Sequence, residues 1–161
     1  MHIRYLKIMI AIIAAGMALI YALQNIANID AAHGAFIYVM SGAEHVAYPE
    51  TMFFKTANSS VAWFTLVITL VGEFLAGILL LKGAIDMFSS IDADSVQFNA
   101  SKKFAEIGAG IGVLIWFGFF GVMGAAFFQM WQTQIGTGSM NGAFQYFVSM
   151  ALTLFFINKS D

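Results

Sequence analysis

Apolar residues gather in four long runs, at about 8–23, 61–81, 107–128 and 139–157, with polar residues between them. Crossing a bilayer as a helix takes roughly 20 apolar residues. The second and third runs meet that length, while the first and fourth are shorter and borrow polar residues at their ends. The runs are continuous and do not alternate, so they read as helices and not as barrel strands. The pattern predicts an all-α membrane protein, a four-helix transmembrane bundle in one domain. Between the first two runs, "HGAFIYVMSGAEHV" is apolar enough for a short helix along the membrane surface. Pro49 then suits a new helical start in "PETMFFKTA". Asp92 and Asp94 are placed to cap a helix leading to Lys102 and Lys103.

Composition sharpens this picture. Of the 161 residues, 60% are hydrophobic and only 10% charged, far below the share of charge in a soluble domain. A net charge of −2 argues against nucleic acid as a partner. With no Cys there is neither a disulfide nor a thiolate site. Arg4 and Lys7 precede the first run as they would in a signal peptide, but its apolar core is long for one, and it reads as an uncleaved anchor.

Six of the seven basic residues fall on one side of a four-span topology: Arg4, Lys7, Lys82, Lys102, Lys103 and Lys159, against Lys55 alone. Both termini are therefore expected in the cytoplasm. The segments 24–60 and 129–138 then face outward.

One carboxylate breaks the apolar pattern. Glu73 lies mid-way along "TLVITLVGEFLAGILLLKG", where an acidic side chain costs about 3 kcal/mol. Helical spacing puts it on a face with Leu66, Thr69, Ala76, Gly77 and Leu80. The bulky Phe64, Val67, Ile68, Val71, Leu75, Ile78 and Leu79 lie opposite. Small residues favour close helix contacts, so Glu73 should face the bundle interior. The first span offers it an alanine stripe, Ala11, Ala15, Ala18 and Ala22. The fourth offers a polar line, Asn141, Gln145, Ser149 and Thr153, expected to point inward as well. Matching depths across the spans gives a candidate buried polar site of Glu73, Trp116, Ser149 and Gln145, with Trp116 or Ser149 as hydrogen-bond donor to the carboxyl.

A second candidate lies at the outward rim. "LQNIANID" closes the first span and "FFQMWQTQ" the third, and Asn141 opens the fourth. Asn25, Asp30, Gln129, Trp131, Gln132 and Asn141 form a candidate outer patch, with Asp30 and Lys55 as ion-pair candidates. His33 and His45 with Glu44 and Glu50 lack the spacing of a zinc site, so no metal is expected. No nucleophile stands near a plausible base, and "GAGIGVL" starts a spanning helix instead of cradling phosphate. Neither a catalytic site nor a cofactor is expected.

These stretches together resemble a bacterial family of predicted small integral membrane proteins, a domain of unknown function. The likeness runs over nearly the whole chain and rests on "ALQNIANID", Glu73, "LIWFGFF" and "FQMWQTQ…NGAF". It implies four spans in a bacterial inner membrane and supplies no activity. The chain departs from the family pattern at Ala125 and Ala126, where an acidic residue precedes Phe-x-Met-Trp-Gln, and at Phe54-Lys55, where a Trp-Arg pair is usual. Those departures count against a catalytic role there.

The expected function is a non-enzymatic binding protein in contact with membrane lipid and with another membrane protein or a toxin. An immunity protein against a membrane-targeting toxin is one form of it, by analogy of size and topology. The alternative is a small transporter or channel subunit that uses buried Glu73.

Overall fold

A computed structural model describes residues 2–161. Four long apolar helices make up the bundle, each long enough to span a bilayer. Helix α1 covers His2–Ala27 and α2 Ile29–Ser41. Helix α3 covers Ser59–Ser89, α4 Ser95–Ser101 and α5 Lys103–Val113. The third span then continues as a π-helix over Leu114–Phe127. A single 3₁₀ turn, Met130–Gln132, leads into α6, Gln134–Asn158. Neighbouring helices close a ring: α1 packs on α3, α3 on α5, α5 and the π segment on α6, and α6 on α1.

Local chemistry sets the helix ends. The Asn58 side chain accepts from the Ser60 and Val61 amides and starts α3. Asp94 caps α4 by accepting from Gln97 N at 2.8 Å, and Thr133 caps α6 by accepting from Gly136 N at 3.0 Å. Helix α2 stops at Gly42, whose φ of 65° suits glycine.

The π-helix was not anticipated from the sequence, and it closes with Phe128 N donating to Met123 O. The segment expected to restart at Pro49 is not helical either. Lys55 Nζ donates to Pro49 O, and the Phe53 ring stacks on Phe127 with centroids 4.2 Å apart, so side-chain anchors hold this stretch extended. The surface helix does form, but as α2, which continues α1 after a break at Asn28 and docks on α3. Ile29, Ala32 and Phe36 pack there against Ala22, Leu66 and Leu70.

Small residues bring the helices together. The α1 stripe of Ala11, Ala15, Ala18 and Ala22 is fully buried. A side chain at Gly108 would strike the Ala76 carbonyl and the Leu80 amide, and one at Gly83 would strike the Ala105 backbone, so α3 and α5 touch backbone to backbone. Bulky residues cover the outside: Phe64 is 67% exposed, Ile13 66% and Phe155 71%. That surface suits lipid and not water.

Candidate functional site

Glu73 is 2% exposed and faces the interior. Its helical neighbours Leu66, Thr69, Ala76, Gly77 and Leu80 are buried with it, while Phe64, Val67, Val71, Leu75 and Ile78 are exposed. Asn25 Nδ2 of α1 donates to Glu73 Oε2 at 3.4 Å. The buried Trp116 indole of the π segment lies beside the same carboxyl. Trp116 in turn packs on the Tyr146 ring of α6 at 5.1 Å, and Tyr146 meets Tyr21 of α1 edge-on at 4.5 Å. One run of contacts, polar from Asn25 to Glu73 and aromatic from Trp116 through Tyr146 to Tyr21, thus touches every long helix of the ring. A buried carboxyl needs such donors, because unpaired it forfeits its hydration without return.

Two members expected here lie elsewhere. Gln145 and Ser149 are exposed on the outside of α6, together with Asn141, and only Thr153 of that polar line is buried. Spacing fixes the angle between residues on a helix, but not which way the whole set turns. Of the two tyrosines that the sequence reading passed over, Tyr146, half-buried against Trp116, takes the inward place on α6, and the exposed Tyr21 covers its outer edge. Their aromatic bodies look like ordinary core, and only their hydroxyls mark them as polar.

The outer patch divides into three. Asn25 joins the Glu73 chain, and Asp30 and Asn141 are exposed on separate helices. Gln129, Trp131 and Gln132 do assemble, but around the long loop. Gln132 accepts from Tyr48 N at 2.8 Å and donates to Tyr48 O at 3.0 Å and to Gln129 Oε1 at 2.7 Å. The Trp131 ring lies edge-on to Tyr48 at 5.5 Å. These amides replace a missing strand partner for the loop backbone. Among the described residues Lys55 makes no ion pair with Asp30; it binds the Pro49 carbonyl. His33 stacks on Trp63 at 4.3 Å, and His45 is tucked behind Lys55 with neither ring nitrogen bonded. Burial first, and then the Lys55 ammonium, hold the His45 imidazole below its ordinary pKa.

Below this stapled loop lies a cavity of about 280 Å³. Phe36 and Val39 of α2, Val61 and Phe64 of α3, and Phe119, Phe120 and Met123 of the π segment wall it, and Phe54, Phe128 and Met130 line it as well. No charged residue lines it. The Thr65 hydroxyl is already spent on the Val61 carbonyl, which leaves Ser139 as the remaining polar side chain.

The opposite end of the bundle holds a feature that the charge count alone did not show. Arg4, Lys7 and Lys102 are buried, at 9%, 1% and 1% exposure. Arg4 pairs with Asp161 and donates to the carbonyls of Ile91 at 2.8 Å and Ala93 at 2.6 Å. Lys102 donates to Lys159 O at 2.8 Å, and Lys7 Nζ is 3.7 Å from the Asp161 carboxylate. The Arg4 guanidinium also lies over the Phe98 ring at 4.4 Å. Basic residues that set orientation in a sequence thus also knot the ends of α1, α3, α4 and α6 together.

Long apolar helices joined at one end by buried cations and at mid-span by a buried carboxyl define a multi-pass integral membrane protein. The chain belongs to the family described as predicted small integral membrane protein (DUF2165), whose model matches residues 3–160. No curated protein and no solved structure matches it.

Proposed function

We propose that this is a non-enzymatic, membrane-embedded binding protein that takes the hydrocarbon chain of a lipid into the cavity between α2, α3 and the π-helical segment. The cavity is the observation that carries this reading. Its walls are aromatic and aliphatic with a single unspent hydroxyl, a lining that suits an apolar guest and repels a solute. The wide π coil supports it, since such coils gather at functional sites. With the basic end cytoplasmic in a bacterial inner membrane, the cavity lies toward the outer leaflet.

Contact with a protein toxin, as an immunity protein, is one form of such a binding role and would use the same outward end. A transporter or channel subunit needs a wet route to its carboxyl. The closed packing around Glu73 speaks for a structural carboxyl instead.

The test uses vesicles of phosphatidylglycerol carrying a diazirine on the acyl chain. Photolabelling is expected at Phe120 and Met123 as well as at lipid-facing Ile13. Ala35→Phe, at an α2 position that also lines the cavity, should abolish labelling at Phe120 and leave Ile13 unchanged. Equal labelling of Phe120 in both proteins overturns the proposal.

A further inference from the structure

The polar line of α6 faces away from the bundle. Gln134, Gly138, Asn141, Gln145 and Ser149 recur at helical spacing and are all exposed. Among the described residues, Asn141, Gln145 and Ser149 make no side-chain hydrogen bond. Helix α6 has 25 residues and is about 37 Å long, so Gln145 lies near its middle and Asn141 about two turns from its start. The corresponding outer positions of the other spans are apolar: Ile12, Ile13 and Ile20 on α1, and Val67, Val71, Leu75 and Ile78 on α3. In hydrocarbon an amide finds no water, and its unmade hydrogen bonds are a cost that lipid cannot relieve.

We propose that this stripe is the interface between two copies of the chain, paired α6 to α6 about a two-fold axis along the membrane normal. A second copy fits for a chemical reason. An amide is donor and acceptor at once, as is a hydroxyl, so like meets like across the axis without a complementary partner. Two copies inserted the same way place Asn141 opposite Asn141, Gln145 opposite Gln145 and Ser149 opposite Ser149, each at matched depth. Gly138 has open space where a side chain would stand and lets the two helices approach. A partner of different sequence would need its own amides in register; a copy has them by construction.

The chain has no Cys, which makes the test direct. Ser149→Cys, oxidised mildly in native membranes, should give a disulfide-linked dimer, and Ile13→Cys on the lipid face of α1 should stay monomeric. Asn141→Leu with Gln145→Leu should fold normally, since neither side chain is bonded within the chain. In vesicles, the energy transfer between labelled copies should show dimerisation weakened at least about tenfold. Three results would overturn the proposal: Ser149→Cys remaining monomeric under oxidation, the double variant dimerising like the parent, or purified protein staying monomeric while Ser149→Cys cross-links only to a different membrane protein. The last would assign the face to that protein.

Discussion

Ile115 fills the notch that Gly72 leaves on α3, and this contact seats the neighbouring Trp116 against Glu73. A β-carbon at Gly72 would collide with the Ile115 side chain. Gly72→Ala is therefore expected to push the π segment off α3 and destabilise the protein by about 1–3 kcal/mol, the usual range for overpacking. Ile115→Val should restore part of the loss in the double variant. Thermal unfolding in mild detergent, followed by near-ultraviolet circular dichroism at the Trp116 signal, measures both.

Glu73→Gln should keep the fold and stability close to the parent, because the amide still accepts from Asn25 and keeps an acceptor beside the Trp116 indole. Glu73→Ala leaves the half-buried Asn25 amide and the buried Trp116 indole without that acceptor, and should cost about 1–3 kcal/mol. Equal stability of the two variants in detergent unfolding would show that the polar chain does not hold the helices together.

Asp161 gives the protein an acid limit. Burial works to raise its pKa, but the Arg4 hydrogen bond and the charges of Arg4, Lys7 and Lys102 outweigh it and hold the carboxyl below its usual range. The folded form is thus the weaker base. Its stabilising contribution is fully present above the ordinary carboxylate range and is lost as pH falls through the folded value. Asp161→Asn should lower stability at neutral pH by about 2 kcal/mol, the scale of a hydrogen bond to a charged group. It should also flatten the acid limb of a stability-against-pH curve, and an unchanged limb would remove Asp161 from this role.

Orientation is testable by cysteine labelling of whole cells. Met52 and Val96 are 97% and 80% exposed, at opposite ends of the bundle. Met52→Cys should react with an impermeant maleimide and Val96→Cys should not, if the basic end is cytoplasmic. Asn58 is a poor probe site because its side chain caps α3.

Residue spacing carried the reading of Glu73, since an acidic residue among small ones on a face opposite bulky ones has one inexpensive place to go. The four spans were equally plain, because length and hydropathy set them with little help from tertiary contact. What stayed hidden depends on packing across helices. Gln145 and Tyr146 are neighbours in sequence, and which of them turns inward is decided by the fit against Trp116 and Tyr21. The π coil over Leu114–Phe127 has no residue code; it is a backbone choice made where Ile115, Phe120 and Gly124 meet other elements. Lys7 and Lys102 counted as orienting charges, but their burial follows from where the Lys159 carbonyl and Asp161 happen to lie.

The π-helical stretch also changes what kind of sequence change the chain tolerates. In an α-helix, losing one residue rotates everything after it by about 100° and turns a core face toward lipid. A loop closed from i to i+5 holds one residue more than an α turn. Between Leu114 and Phe127 a deletion can be absorbed by tightening one turn, with the register of Gln129 and all of α6 kept. Single-residue deletions during evolution should therefore collect in this segment and be purged from the middle of α1 and α3.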